Sequence, residues 1–298
     1  MFTKLEDLFK QDKEKQKKKL VLAVAHDKHA LEAIKAAHHN NCIEPVLVGD
    51  SEKIKEIAAE INFDLSNVEV IDKKDKIEAV ELSIKLVRQG AAQILMKGNV
   101  PTANLLKGVL NKEWGLRTGS ILSHLALFEI KDYHKLLGVT DVAMNIAPDL
   151  VAKIGIVNNS VKYLNKIGIT SPKVAAISAA ETVNQSMPSS VDAAIIAKMS
   201  ERNQIANCII DGPLAFDNAI SRKSAEHKGI MGNVAGDADL LLMPNIEAGN
   251  ILYKSLSFFA HSGIAAVILG AKVPIVLTSR SDSEESKLNS IYLAALGA

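Results

Sequence analysis

Residues 272–286 read Lys-Val-Pro-Ile-Val-Leu-Thr-Ser-Arg-Ser-Asp-Ser-Glu-Glu-Ser and predict a buried strand that leads directly into a polar turn and the last helix. Ser279 and Arg280 follow the apolar residues 273–277. Open α/β sheets bind ligands outside the carboxyl ends of their strands. Arginine offers planar, forked donors that fit a phosphate, and a helix N-terminus adds backbone N–H groups. The alternative is an ordinary strand end whose arginine caps a surface turn.

The rest of the chain alternates between short apolar runs and segments with helical periodicity. We predict strands at residues 20–25, 45–48, 68–71, 93–96, 121–128, 136–145, 174–178, 208–211, 240–243, 265–269 and 273–277. We predict helices at residues 29–40, 52–61, 76–89, 148–166, 189–202, 216–223 and 249–260. This alternation predicts an α/β fold with mostly parallel sheets flanked by helices and joined by right-handed crossovers.

Residues 110–117 interrupt the regular alternation and precede a longer strand. We therefore predict two α/β domains. The first contains residues 1–126 and 271–298, and the second contains residues 127–270. We expect the active cleft between them, with Ser279 and Arg280 facing it from one side.

Composition excludes several classes of function. The chain has 298 residues, of which 48% are hydrophobic and 4% aromatic, a mixture that suits parallel strands under helices. A net charge of +1 gives no general attraction to nucleic acid or to a membrane. We interpret the basic run at residues 13–19 as the solvated end of the first helix.

Targeting and redox signals favour a cytoplasmic protein. We see no signal peptide and no apolar run long enough to span a membrane. Cys42 and Cys208 lie far apart without metal-ligand spacing, which fits a reducing compartment.

Small or polar residues follow several of the predicted strands. Gly98 follows residues 93–96 and lets a ligand approach the backbone. Thr102 stands at a helix start, where it either caps the helix or meets a phosphate. Asp211 ends another strand and either caps the turn or faces the ligand.

Two further segments offer groups for an anionic ligand. Residues 244–250, which include Gly249 and Asn250, form either an anion-binding helix start or an ordinary turn into a helix. Arg117 supplies a second arginine near a strand, and Ser123 follows shortly after it. These residues add to the predicted substrate-binding set.

Familiar nucleotide and metal motifs are missing from the sequence. It contains no Gly-x-Gly-x-x-Gly, no Gly-x-x-x-x-Gly-Lys-Ser/Thr and no Gly-x-Ser-x-Gly around Ser279. It also has no His-Glu-x-x-His and no Cys-x-x-Cys, so we expect no zinc site.

Three segments together resemble the phosphate acetyl/butyryl transferase family along essentially the whole chain. They are Asp-Gly-Pro-Leu-Ala-Phe-Asp at residues 211–217, Ala-Gly-Asp-Ala-Asp-Leu-Leu-Leu-Met-Pro-Asn-Ile-Glu-Ala-Gly-Asn at 235–250, and Gly-Ala-Lys-Val-Pro-Ile-Val-Leu-Thr-Ser-Arg at 270–280. The amino-acid sequence of these segments resembles the butyryl branch of the family more than the acetyl branch.

The resemblance implies a fold like that of the isocitrate/isopropylmalate dehydrogenases, used as a homodimer. It implies reversible reaction of an acyl-CoA with inorganic phosphate to give an acyl phosphate and free CoA. It implies no tightly bound cofactor, because CoA and acyl-CoA are substrates. The acyl phosphate would pass to an acid kinase such as a butyrate kinase.

The resemblance also implies roles for individual residues. Arg280 falls on the arginine assigned to phosphate, Ser279 on the serine assigned to the reacting carbonyl, and Arg117 on a second family arginine. The acetyl branch has an aspartate seven positions after the serine as the base for the thiol, whereas this chain has Ser286. We take the neighbouring Glu285 as the candidate base, with Glu284 and Asp282 as alternatives.

We favour direct attack of the CoA thiolate in a ternary complex, with Ser279 as a covalent nucleophile as the alternative. An acetyl-specific enzyme is the alternative within this class. A decarboxylating dehydrogenase is a rival from another class, with Asp237 and Asp239 as metal ligands on one strand face. A non-catalytic binding protein is the last rival.

Overall fold

The computed structural model describes residues 2–10, 17–277 and 282–298, which form two compact α/β units. The first unit comprises Phe9–Ser120 and Ala265–Ala298. The second unit comprises Met1–Leu8 and Ile121–Ile264. The domain boundaries that we derive from the sequence stay a prediction.

The elements are numbered in chain order. The strands of the described residues are β1 (Lys18–Ala23), β2 (Ile43–Gly49), β3 (Glu69–Asp72), β4 (Ile94–Lys97), β5 (Ser123–Glu129), β6 (Leu137–Thr140), β7 (Lys173–Ile177), β8 (Ile209–Leu214), β9 (Leu240–Leu242), β10 (Gly263–Leu269) and β11 (Ile275–Val276). The helices are α1 (Leu5–Phe9), α2 (Lys28–His39), α3 (Ser51–Glu60), α4 (Lys76–Arg88), α5 (Thr102–Val109), α6 (Leu150–Lys166), α7 (Pro188–Glu201), α8 (Phe216–Ile220), α9 (Arg222–His227), α10 (Ile246–Phe258) and α11 (Glu284–Leu296). No described helix is long and apolar enough to cross a membrane.

The sheet of the first unit has the strand order β3-β2-β1-β4-β11-β10. All neighbouring pairs from β3 to β11 are parallel, and only β10 runs antiparallel to β11. Leu20, Val21 and Leu22 of β1 are at most 1% exposed, as expected for a central strand covered on both faces. The carboxyl ends of β1, β4 and β11 consequently meet at one edge of this sheet.

Aspartate caps fix the starts of three helices in the first unit. Asp27, Asp50 and Asp75 accept hydrogen bonds from backbone N–H groups in the first turns of α2, α3 and α4. Such caps satisfy donors that the helix itself leaves unpaired. The start of α5 differs, because Pro101 stands at the cap position and no side chain caps the helix.

The sheet of the second unit has the order β5-β6-β9-β7-β8. The β5–β6 pair is antiparallel, and the other three pairs are parallel. Both units therefore have the mostly parallel sheet, flanked by helices, that the sequence predicts.

An ionic cluster ties together strand starts in the second unit. Lys135 precedes β6, and its ammonium lies 2.9 Å from Asp237 and 2.7 Å from Asp239, which both precede β9. Lys173, the first residue of β7, and His134 also contact Asp237. The two aspartates that the rival dehydrogenase requires as metal ligands are therefore engaged by ammonium groups.

The predicted strand at 136–145 is too long. β6 ends at Thr140, because the next residue, Asp141, starts a turn. The carboxylate of Asp141 accepts hydrogen bonds from the backbone N–H groups of Ala143 and Met144, two and three residues further along the chain. A third N–H, from Asn145, donates to the same carboxylate at 3.2 Å. These bonds fold the chain into a turn although its side chains remain partly apolar.

Two helix predictions also need correction. The predicted helix at 216–223 is two short helices, α8 and α9, separated by Ser221, whose backbone is extended and whose side chain caps α9. Lys18 and Lys19 open β1, so the basic run does not end a helix there. Its residues 13–16 lie outside the described part of the chain.

Candidate functional site

β11, which belongs to the segment that the sequence singles out, ends at the carboxyl edge of the first-unit sheet. Ile275 and Val276 of β11 pair in parallel with Leu95 and Met96 of β4. The chain that leaves β11 therefore starts beside the end of β4. Residues 278–281, with Ser279 and Arg280, lie outside the described residues, and their roles stay predictions.

Gly98 occupies a site where no side chain fits. Its N–H donates to the Ala23 carbonyl at 2.8 Å, and a Cβ on Gly98 would lie 2.3 Å from the Val24 carbonyl oxygen. The close approach that this glycine permits is thus between the ends of β4 and β1. Its contact with a ligand stays a prediction.

Thr102 is the first residue of α5 and is exposed, but it does not cap the helix. The prediction that it serves as the cap is therefore wrong. No side chain among the described residues caps this N-terminus, in contrast to α2, α3 and α4. The start of α5 keeps its partial positive charge and its backbone donors for an anion.

Arg117 is exposed and pairs through its backbone with Ala271 in an antiparallel bridge. Thr118 strengthens this contact, since its hydroxyl donates to the Gly270 carbonyl at 2.6 Å. Ala271 precedes β11, whereas Arg280 follows it. The backbone of Arg117 thus lies beside the residues that precede β11, and its contact with phosphate stays a prediction.

Glu285, the candidate base, lies exposed in the first turn of α11. Ser283 caps this helix by accepting from the Ser286 N–H at 3.1 Å. Lys287, only 5% exposed, donates to the Asp282 carbonyl and holds the entrance to the helix. The role of Glu285 as a base stays a prediction.

One group in the described part of the chain has the donor set of a metal site. Ligand atoms of His29, Glu32 and Glu284 lie within 4.8 Å of one another. Glu32 and Glu284 also line a surface cleft of about 440 Å³ between α2, α3 and α11. The three side chains are partly or fully exposed, and such groups also occur on ordinary surfaces.

In the second unit, Gly249 and Asn250 join the start of α10 to the turn after β6. A Cβ on Gly249 would lie 2.2 Å from the Asp141 carbonyl oxygen, and the Asn250 amide donates to the Val142 carbonyl at 3.2 Å. The Asn145 amide links the same turn to a carbonyl just before β5. These residues have evident packing roles, and their contact with substrate stays a prediction.

Ser123 and Asp211 each have a hydrogen-bond partner within the fold. Ser123 is fully buried, and its hydroxyl accepts from the Asn159 amide at 3.0 Å. Asp211 lies inside β8 and not at its end, because the strand continues to Leu214. Its carboxylate accepts from the Gly212 N–H at 2.8 Å. Substrate binding by either residue stays a prediction.

His26 lies at the carboxyl edge of the first-unit sheet, and the sequence analysis did not single it out. It follows β1, is only 9% exposed, and its Nδ1 has no hydrogen-bond partner among the described residues. The available signal was its place just beyond a strongly apolar strand. It lay among eight histidines of the chain without a motif around it.

Comparisons with known proteins agree along the whole chain. The family model described as Phosphate acetyl/butaryl transferase matches residues 4–83 and 74–295. The phosphate butyryltransferase of Clostridium beijerinckii is 50% identical over 298 residues, which cover 100% of this chain and 99% of that protein. The phosphate acetyltransferase of Thermotoga maritima is 44% identical over 281 residues, which cover 94% of this chain and 95% of that protein.

A solved structure extends the agreement to the fold. The branched-chain phosphotransacylase from Enterococcus faecalis V583 superimposes with a TM-score of 0.83 at 36% identity, covering 94% of this chain and 98% of that one. With the mostly parallel sheets and the matching sequence segments, these comparisons show that the chain belongs to the phosphate acetyl/butyryl transferase family.

Proposed function

We propose that this protein transfers a short-chain acyl group reversibly between coenzyme A and inorganic phosphate. The observation that carries the proposal is the 50% identity to a phosphate butyryltransferase over the full length of both chains. The uncapped start of α5, which follows β4 beside β11, adds physical support, because it suits an anion.

Phosphate binds at the carboxyl edge of the first-unit sheet, where β4 and β11 end. The backbone N–H groups at the start of α5 supply directed donors, and the Arg280 guanidinium supplies a fixed charge and a bidentate fork. Gly98 keeps the end of β4 free of a side chain. Thr102, exposed at the first position of α5, adds a hydroxyl.

The reaction proceeds by direct thiolate attack on the acyl phosphate. Glu285 removes the proton of the CoA thiol, and the sulfur then forms a bond to the acyl carbon. The bond from that carbon to the phosphate oxygen breaks, and phosphate leaves with the electron pair. Ser279 donates a hydrogen bond to the carbonyl oxygen as its charge grows, which is worth about 3 kcal/mol. Arg280 stabilises the departing phosphate.

The acyl group is butyryl or a similar short chain. Two phosphate butyryltransferases are 50% and 48% identical to this chain, against 44% for a phosphate acetyltransferase. One methylene in an apolar pocket changes binding by about 1–3 kcal/mol, so neighbouring chain lengths remain substrates. An acetyl-specific enzyme is the second candidate.

The protein acts in the cytoplasm as a homodimer. Each subunit has two domains in the arrangement of the isocitrate/isopropylmalate dehydrogenases. The acyl phosphate that it makes is the substrate of an acid kinase.

Exposed apolar side chains on and beside α10 support the dimer. Ile251 of α10 is 66% exposed, and Phe259, just beyond it, is 87% exposed. Ile146 is 70% exposed, and its carbonyl accepts a hydrogen bond from the N–H of Ile246 at the start of α10. Exposed apolar side chains that adjoin one helix are candidates for a protein interface.

A thiol-release assay tests the proposal. The protein is supplied with phosphate and with acetyl-, propionyl-, butyryl-, isobutyryl- or isovaleryl-CoA, and free thiol is measured. We expect thiol release that depends on phosphate and is fastest with a four- or five-carbon acyl group. Thiol release that is independent of phosphate would contradict the proposal. A change in absorbance that requires both NAD(P) and Mg²⁺ would instead support the decarboxylating dehydrogenase.

Two variants test the assigned residues. Ser279→Ala should lower kcat about 100-fold with little change in KM, as for loss of one oxyanion donor. Arg280→Ala should raise the KM for phosphate strongly. Unchanged affinity for phosphate in Arg280→Ala would remove that residue from the site. Trapping of an acyl group on Ser279 would support the covalent alternative.

A further inference from the structure

Lys97, the last residue of β4, folds back over the turn that leads from β4 to α5. Its side chain is half-buried, and its ammonium donates to the Gly98 carbonyl at 3.1 Å and to the Val100 carbonyl at 3.3 Å. Hydrogen bonds from an ammonium are charge-assisted and stronger than those between neutral groups. The ammonium therefore closes the turn formed by residues 98–100.

The N–H groups of the same turn have partners of their own. Those of Gly98 and Asn99 each donate at 2.8 Å to a carbonyl where β1 ends, the first to Ala23 and the second to Val24. The Val100 N–H donates within the turn, to the Gly98 carbonyl at 2.9 Å. These bonds tie the turn to β1, but they leave the Val100 carbonyl in need of a donor.

Lys97 is the donor that the structure gives to the Val100 carbonyl. No other donor among the described residues reaches this oxygen, although Val100 is only 5% exposed. A backbone carbonyl that loses its partner in a buried place destabilises the local conformation, because water cannot replace the lost bond. Removal of the ammonium would therefore loosen the turn next to α5 and leave its bonds to β1 intact.

The turn also fixes the place at which α5 begins. Pro101 directly follows Val100 and stands at the cap position, and α5 has no acidic residue in its first turn. The first N–H groups of a helix have no acceptor within it. Residues 82–112, which include the turn and α5, contain no aspartate or glutamate. The direction of the donors at the start of α5 therefore depends on the turn, and these donors suit an anion.

We propose that Lys97 is a positioning residue for phosphate. By holding the carbonyls of Gly98 and Val100, its ammonium keeps the backbone donors at the start of α5 aimed at the anion. Hydrogen bonds weaken steeply when a donor turns away from its acceptor, so a loosened turn binds phosphate less tightly. This role rests on the proposed function, because it takes inorganic phosphate as the ligand of α5. It gives Lys97 no contact with phosphate, with the acyl group or with coenzyme A.

The kinetics of two variants test this role. Lys97→Met keeps most of the aliphatic stem and removes the ammonium. We expect it to raise the KM for phosphate about 10-fold, which is equivalent to about 1.4 kcal/mol. The kcat at saturating phosphate and the KM for butyryl-CoA should stay within about twofold of the wild-type values, because only the binding of phosphate is weakened. Lys97→Arg, which keeps a charged donor, should recover most of the affinity for phosphate.

Lys107→Met is the matched control, because Lys107 is exposed in the last turn of the same helix and should change none of these values. An unchanged KM for phosphate in Lys97→Met would overturn the proposal. A rise of both KM values by the same factor would also overturn it, because it would indicate a general structural role. A rise confined to butyryl-CoA would do the same, because it would place the effect at a phosphate group of CoA.

Thermal unfolding separates this role from the proposed function. The Tm of each variant is measured with phosphate, with free CoA, and with chloride at the same ionic strength, and a ligand of the native protein raises Tm according to its affinity. We expect phosphate to raise the Tm of the wild type more than that of Lys97→Met, and CoA to raise both equally. This result without phosphate-dependent thiol release would contradict the proposed function and support the role of Lys97. Turnover by the wild type together with equal shifts by phosphate would overturn the role of Lys97 alone.

Discussion

The ammonium of Lys135 lies 2.7 Å from the Asp239 carboxylate, although the lysine side chain is only 1% exposed. Asp237 shares the same ammonium at 2.9 Å. The motif that contains both aspartates therefore serves in this chain to balance a buried charge. It joins the starts of β6, β7 and β9 and so contributes to the stability of the second unit.

Replacing Lys135 should destabilise the protein strongly. We expect Lys135→Met to lower the free energy of unfolding by about 3–5 kcal/mol, because it leaves two carboxylates without their buried partner. Urea denaturation measures the change. Lys198→Met is the control, since Lys198 and its partner Glu201 are both more than half exposed and should contribute little. Similar losses in the two variants would contradict the role of the cluster.

Acid should weaken the same cluster. Burial alone would raise the pKa of Asp237, but hydrogen bonds from Lys173, Lys135 and His134 outweigh it and hold that pKa well below its usual range. A carboxylate with a lowered pKa stabilises the native state above its unfolded pKa of about 3.9, and this contribution is lost as pH falls below that value. The stability difference between wild type and Asp237→Asn should therefore shrink between pH 5 and pH 3, as followed by urea midpoints. A constant difference would contradict this account.

A methyl group at Gly249 should disturb the start of α10. The added Cβ would lie 2.2 Å from the Asp141 carbonyl oxygen, a backbone atom that cannot rotate away. We expect Gly249→Ala to cost about 1–3 kcal/mol by overpacking, as measured by urea denaturation. Gly263→Ala is the matched control, because its closest contact is a side-chain carbon 3.3 Å away. A neutral Gly249→Ala would contradict the tight contact.

The helix starts of the first unit should respond differently to substitution. Asp75→Ala should lower stability by about 1 kcal/mol, because its carboxylate accepts from the N–H groups of Ile77 and Glu78. Thr102→Ala should leave stability nearly unchanged, since Thr102 makes no capping bond. If its hydroxyl binds phosphate, the KM for phosphate should rise in Thr102→Ala. Equal effects on stability would contradict the assignment of the caps.

The exposed apolar residues near α10 should govern assembly. We expect Phe259→Ser combined with Ile251→Ser to shift a dimer toward monomer in sedimentation velocity, because the change removes apolar area from the proposed interface. Ile77→Ser is the control, since Ile77 is 54% exposed but lies on α4 of the first unit. A dimer that survives the double substitution would place the interface elsewhere.

The fold was predictable where one signal dominated. The run around Val21 is apolar, so the burial of this strand follows directly from the sequence, although β1 begins at Lys18 and ends at Ala23, two residues before each end of the predicted strand. The error at residues 136–145 arose because Val142 and Met144 continue the apolar run. The turn depends on backbone N–H groups that converge on Asp141, and composition does not show such convergence.

The site was less predictable because its contacts join distant parts of the chain. Gly98 could be selected as a special position, but its partner is Val24, far earlier in the sequence. His26 carries no motif, and only the burial of its ring and the lack of a partner for Nδ1 draw attention to it. Asp237 and Asp239 were recognised as a pair, whereas their partner Lys135 follows only from the fold.

The separation of β4 and β11 in the sequence has a consequence during protein synthesis. By the time the ribosome has made Ser120, β1 to β4 have been synthesised, but β11, the strand that pairs with the free edge of β4, is made only after the whole second unit. Until then β4 has an unpaired row of backbone donors and acceptors, which can template aggregation. Newly made chains should therefore depend on chaperones, or on slow translation, more than the stability of the finished protein would suggest.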